Sequence, residues 1–83
     1  MKLTIEAEAL KALLRMPKSD AQALREKLKL FAADPLARHS WAKGFGQGVG
    51  RIRQGDWRAV NQIDDEAVTV LIVKIGNRKE IYR

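Results

Sequence analysis

The chain has 83 residues, sixteen lysines and arginines against ten acids, a net charge of +6 and a sequence pI near 10.1. That length suits one small domain with a modest core, so a shallow or surface site is expected rather than a deep substrate cavity or a second catalytic lobe. No cysteine and a single His39 exclude a disulfide framework and a Cys-based or His-rich metal centre, and no apolar run reaches the roughly 18 residues of a membrane span.

Lys2 to Ile5 alternates Leu3 and Ile5 with polar residues, a pattern that predicts a short edge strand. The mixed polar segment after Lys2 is no signal-peptide pattern, and a soluble cytoplasmic protein is expected. Glu6 to Met16 places Leu10, Leu13 and Leu14 at helical spacing, with Ala7, Ala9 and Ala12 as strong helix formers and two acids in the first turn. Pro17 stops this helix. Ser19 followed by Gln22 reads as a capping box for a second helix, with Leu24, Leu28 and Phe31 inward and Arg25, Glu26, Lys27 and Lys29 mostly solvated. Asp34-Pro35 ends it. The short link between the helices predicts an antiparallel helical hairpin.

Residues 36 to 48, with Gly44, Gly46 and Gly48, read as loop. They are no phosphate-binding loop, because the Lys-Ser/Thr ending is missing. From Val49 the period changes to two. Strands are predicted over Val49 to Arg53, Trp57 to Ile63 and Val68 to Ile75, with turns at Gln54-Gly55-Asp56 and Asp64-Asp65-Glu66. The last of these strands is almost wholly apolar or β-branched, as a central strand should be. Gly76-Asn77 breaks it, and Glu80 to Arg83 adds a last short strand or tail. The expected order is β-α-α-β-β-β in one domain over residues 1–83. The expected fold is α+β, with a short N-terminal strand and the helical hairpin packed on an antiparallel sheet. Leu10, Leu13, Leu14, Leu24, Leu28, Phe31, Val70 and Ile72 are its expected core.

The cations are unevenly placed. Arg38, Lys43, Arg51, Arg53 and Arg58 share their stretch with Asp56 alone, and Lys74, Arg78, Lys79 and Arg83 share theirs with Glu80 alone. Such a surplus attracts nucleic acid, an acidic protein, or both. Asp64, Asp65 and Glu66 are adjacent in a turn and diverge, which argues against paired catalytic carboxylates. A triad through His39 with Ser19 or Ser40 is discounted, since Ser40 adjoins His39 and Ser19 has a capping role. The stronger constellation is Arg51, Arg53, Arg58, Arg78 and Tyr82. Arg51 and Arg53 share one face of a strand, Arg58 lies across the tight turn, Arg78 follows the apolar strand, and Tyr82 comes four residues later. Guanidinium forks match phosphate oxygens bidentately, and a tyrosine can stack on a base. The bland alternative is the polar side of an amphipathic strand.

The segment GRIRQGDWRAVNQIDDEAVTVLIVKIGNRKEIYR resembles the C-terminal half of toxins of the RelE/ParE superfamily. Their pattern runs Tyr-Arg-x-Arg-x-Gly-Asp-Tyr/Trp-Arg, then a hairpin, a hydrophobic strand and Gly-His/Lys-Arg-Lys/Arg-x-x-Tyr. The upstream AADPLA and the EALKALLRMPK helix are similar to the family as well. The resemblance implies the toxin of a type II toxin–antitoxin pair, a metal-free and cofactor-free endoribonuclease that cuts messenger RNA on the ribosome and leaves a 2′,3′-cyclic end. It implies a general base or charge clamp for Arg51 and Arg53, a phosphate contact for Arg58, leaving-group stabilisation or a general acid for Arg78, and base stacking for Tyr82. It also implies an antitoxin partner whose hetero-oligomeric complex with the toxin binds operator DNA through the antitoxin. Some superfamily members instead inhibit DNA gyrase, and a degenerate toxin would serve only as the antitoxin's partner. The departures are arginines at 51 and 53 where lysine is usual, Gly50 where an aromatic is frequent, Asn61 where tyrosine is usual and Asn77 where histidine is frequent. Arginine stays protonated in neutral water, so a general base at 51 or 53 is not expected.

Overall fold

The computed structural model describes residues 1–81. Strand β1 (Lys2–Ile5) leads into helix α1 (Ala7–Arg15) and helix α2 (Lys18–Ala33), and a four-strand meander follows: β2 (Ala42–Gly46), β3 (Val49–Gln54), β4 (Trp57–Asp64) and β5 (Thr69–Asn77). A single helical turn, α3 (Arg78–Ile81), comes after β5. The sheet order is β1-β5-β4-β3-β2. The α+β class and the helical hairpin on a sheet are as the sequence predicts. The sheet itself is mixed. β1 runs parallel to β5, with Leu3 opposite Val70 and Ile5 opposite Ile72, while every other pair is antiparallel. The parallel pair follows from connectivity: the helices lie between β1 and the meander, so β1 meets a strand that sequence order places last.

α1 turns Ala9 and Leu13 into the core, with Met16 buried just past its end. Leu10 and Leu14 lie one residue further round, about 100° away on a helix, and are 40% and 68% exposed. They do not belong to the core that the leucine spacing predicts, because the alanine-containing stripe packs closer to β5. α2 buries Leu24, Leu28, Phe31 and Ala32, which recur at helical spacing. It starts at Lys18 with Pro17 as N-cap and no side-chain cap bond, so the Ser19–Gln22 capping box does not form. Asp20 in its first turn instead accepts a hydrogen bond from Gln54 Nε2 at 3.3 Å. Ile52, Ala59, Val70, Ile72 and Ile75 complete the core from the sheet side.

Two further differences concern the strands. Part of the predicted loop is β2, which pairs Ala42 with Ile52, Lys43 with Arg51 and Gly44 with Gly50. A Cβ on Gly50 would sit 2.7 Å from the Lys43 carbonyl oxygen, so only glycine permits this close approach. β5 begins at Thr69, not Val68, which closes the preceding turn at φ 50°. Asp64 Oδ1 accepts the Ala67 amide at 3.1 Å in that turn, as its solvated-turn reading expects. β5 also runs through Gly76 and Asn77, and the Asn77 side chain accepts the Lys79 amide at 3.2 Å to open α3.

Candidate functional site

Sheet alternation separates two faces. Ile52 and Ala59 point to the helices; Arg51, Arg53 and Arg58 therefore share the opposite face. Arg53 lies directly across from Arg58, Arg51 across from Val60, and Lys43 on β2 across from Arg51. On the other side of β4, Lys74 faces Val60 and Gly76 faces Arg58. Glycine at 76 leaves no side chain over Arg58 from that strand. Phe45 lies under two of the cations, 5.8 Å from the Arg51 guanidinium carbon and 5.9 Å from Lys43 Nζ.

Arg58 is the centre of the arrangement. It is only 7% exposed. Its Nη1 donates to the carbonyl oxygens of Gly55 at 2.7 Å and Trp57 at 3.0 Å, so the β3–β4 turn fixes the guanidinium plane. Its buried Nε has no hydrogen-bond partner. Burial pushes the Arg58 pKa down, Arg51, Arg53 and Arg78 push it further the same way, and among the described residues Asp56 opposes them. The sequence placed Arg78 at this cluster, and the backbone explains how: the Arg78 amide donates to the Asp56 carbonyl at 2.6 Å, docking the start of α3 on the β3–β4 turn. Arg51, Arg53, Arg58 and Arg78 are thus brought to one sheet surface. Tyr82, the fifth candidate, lies outside the described residues.

One neighbour was missed. Lys27, read from the helix as solvated, is half-buried and donates to the Arg53 carbonyl at 2.9 Å. Burial and Arg53 lower its pKa, in that order. Its Nζ lies 5.7 Å from the Trp41 ring, which itself stacks on His39 at 4.1 Å. No local signal in the sequence sets the α2-to-β3 packing that brings Lys27 there.

The small mixed sheet covered by a helical hairpin is the fold of solved RelE toxins. The family model for the ParE toxin of the type II toxin–antitoxin system, parDE, matches residues 3–82, and the chain belongs to this family. No curated protein matches it. Among solved structures, a double mutant of the Escherichia coli toxin RelE in the free state is similar at 27% identity and a TM-score of 0.78, over 98% of this chain and 88% of that one. The toxin chain of the intact E. coli RelBE toxin–antitoxin complex is 26% identical at a TM-score of 0.76, over 92% and 94%. The RelBE2 toxin–antitoxin complex of Mycobacterium tuberculosis gives 25% identity and a TM-score of 0.73, over 93% and 96%.

Proposed function

We propose that this toxin is a metal-independent endoribonuclease that cuts messenger RNA on the ribosome and is held in check by a cognate antitoxin. The observation that carries the reading is Arg58: a buried guanidinium with an unpartnered Nε, beside Arg51, Arg53 and Arg78, with Asp56 as the one offsetting acid among the described residues. A phosphodiester placed there relieves that repulsion, and the charge that builds on its oxygens in the transition state relieves it further.

In the proposed reaction the ribose 2′-oxygen attacks the adjacent phosphorus. The 2′ proton passes to solvent water, the P–O5′ bond breaks and the leaving 5′ oxygen takes a proton from water, leaving a 2′,3′-cyclic phosphate and a 5′-hydroxyl. Arg58 and Arg53, facing each other across β3 and β4, hold the phosphate, and Arg51 extends the clamp toward Lys43. Arg78, anchored through its own amide, stabilises the leaving oxygen. Catalysis rests on positioning and fixed charge, and Tyr82 is assigned to base stacking. The antitoxin contributes an acidic segment that folds over the cationic face, for which the net charge of +6 supplies steering.

Induced expression followed by primer extension on an abundant transcript tests the reading. Codon-phased cuts that depend on the ribosome are expected. The family match to the ParE toxin of parDE favours a second reading, inhibition of DNA gyrase. An SOS response with intact messenger RNA would replace the first reading with that one.

A further inference from the structure

Strand β3 loses its outer neighbour at Arg53. In the register that pairs Ala42 with Ile52, Trp41 is the residue opposite Arg53, and the Arg53 amide donates to the Trp41 carbonyl oxygen at 2.7 Å. A complete antiparallel pair exchanges a second bond, here from the Trp41 amide to the Arg53 carbonyl. β2 begins only at Ala42, and the Arg53 carbonyl instead accepts a hydrogen bond from Lys27 Nζ of α2 at 2.9 Å. A side chain from the helix layer thus takes the place of a strand bond at an arginine of the candidate site.

The position is a demanding one for an ammonium group. Burial, and then Arg53, lower the Lys27 pKa. Among the described residues no acid pairs with it. The carbonyl and the Trp41 ring, 5.7 Å from Nζ, offset that cost, so Trp41 meets Arg53 with its backbone and Lys27 with its ring. α2 grips the same stretch a second time. Asp20 Oδ1, about two helical turns before Lys27, accepts from Gln54 Nε2. The next two residues, Gly55 and Asp56, hold Arg58 and Arg78 through their carbonyls. The backbone from Arg53 to Asp56 is therefore where α2 meets the arginine cluster, and Lys27 holds its first residue.

We infer that Lys27 is a positioning residue of this cluster: by holding the Arg53 carbonyl where strand pairing ends, it keeps the Arg53 side chain opposite Arg58. In this role it acts through Arg53 and need not touch substrate. The consequence for cleavage rests on the ribonuclease reading; the consequence for Arg53 does not. Misplacing a phosphate-holding group costs rate more than binding when other cations still retain the substrate.

The test compares Lys27→Met, which keeps an unbranched apolar stem but has neither donor nor charge, with Lys27→Arg and Lys29→Met in the full chain. Lys29→Met removes an equal charge from an exposed site on the same helix. Cleavage of ribosome-bound messenger RNA is measured alongside NMR of the Arg53 amide and the Arg53 Nε group. Lys27→Met is expected to lower kcat about tenfold or more with little change in KM. It should also speed hydrogen exchange at the Arg53 amide and shift the Arg53 Nε signal. Lys27→Arg, which retains a charged donor, should recover most of the rate, and Lys29→Met should match the unaltered chain in every readout. If Lys27→Met does not fold, Lys27→Gln replaces it, since a neutral side chain of shorter reach must show the same loss. If the unaltered chain cuts no RNA, the ribonuclease reading fails, and the Arg53 signals alone decide the role of Lys27. The inference is overturned if Lys27→Met leaves the Arg53 signals unchanged, if it cuts as fast as an active unaltered chain, or if the loss falls on KM instead. It is overturned equally if Lys29→Met causes the same loss or if Lys27→Arg recovers nothing.

Discussion

Arg58 carries a permanent charge into a place that water barely reaches, beside three further guanidinium groups. The β3–β4 turn supplies two carbonyls for Nη1, which fixes the plane, and Asp56 offsets part of the repulsion. In the proposed reaction Arg78 is the residue with the most to lose. Its backbone is fixed at Asp56 while its exposed side chain remains available to substrate. Losing one transition-state contact of this kind costs about 2.7–4 kcal/mol, roughly a hundred- to a thousandfold in rate. Arg78→Ala is therefore expected to abolish growth arrest while circular dichroism stays native. Arg15→Ala, an exposed cation at the end of α1, should remain toxic in the same plate assay. Arg58→Lys keeps a charge but loses the fork that meets turn and phosphate together, and about a tenfold or larger fall in cleavage rate is expected. If Arg78→Ala cut ribosome-bound messenger RNA normally, the arginine cluster would not be the active site. The cluster was legible because strand alternation and a tight turn are local rules. Lys27 was not, because its environment comes from a helix packed on a strand far away in sequence.

At the scale of elements, apolar spacing located both helices but not the rotation of α1. Leu10, Leu13 and Leu14 are all leucines at helical spacing, yet only Leu13 is buried, since close packing on β5 favours the smaller Ala9 beside it. Leu28→Ala should cost about 2–5 kcal/mol in urea unfolding, as truncation of a fully buried leucine does. Leu14→Ala should stay within about 0.5 kcal/mol. A comparable loss from both would mean that α1 is turned differently. β2 was illegible for a different reason. Glycine has poor strand propensity, and Gly44 joins a strand only because Gly50 lets β3 approach it. Gly50→Ala is therefore expected to lower the unfolding midpoint, whereas Gly44→Ala, which meets open space, should not.

For the whole molecule, the surplus of positive charge is a standing load. The structure is 32 × 20 × 20 Å, so at about 0.01 M salt, with a Debye length of about 30 Å, every cation feels most of the others. At about 1 M salt that length falls to about 3 Å. The melting temperature should therefore rise between these conditions, by about 4–8 °C for each kcal/mol of repulsion removed. A flat or falling curve would show that the cations are already compensated. An antitoxin that covers the sheet face should raise the melting temperature too, and the further rise with salt should then be smaller.

The parallel pairing of β1 with β5 bears on the order of assembly. β1 is made first and waits for a partner made last among the strands, while both helices and three strands are synthesised in between. Until β5 arrives, α1 lacks the strand it covers. Arg78, too, takes its place only once β5 is complete. A nascent chain therefore has helices and an incomplete hairpin array but no finished arginine site. Closing so distant a contact is slow relative to forming the local turns. In the proposed reaction, harm to the cell that makes it is deferred until β5 closes the sheet, an interval in which an antitoxin already present can bind first.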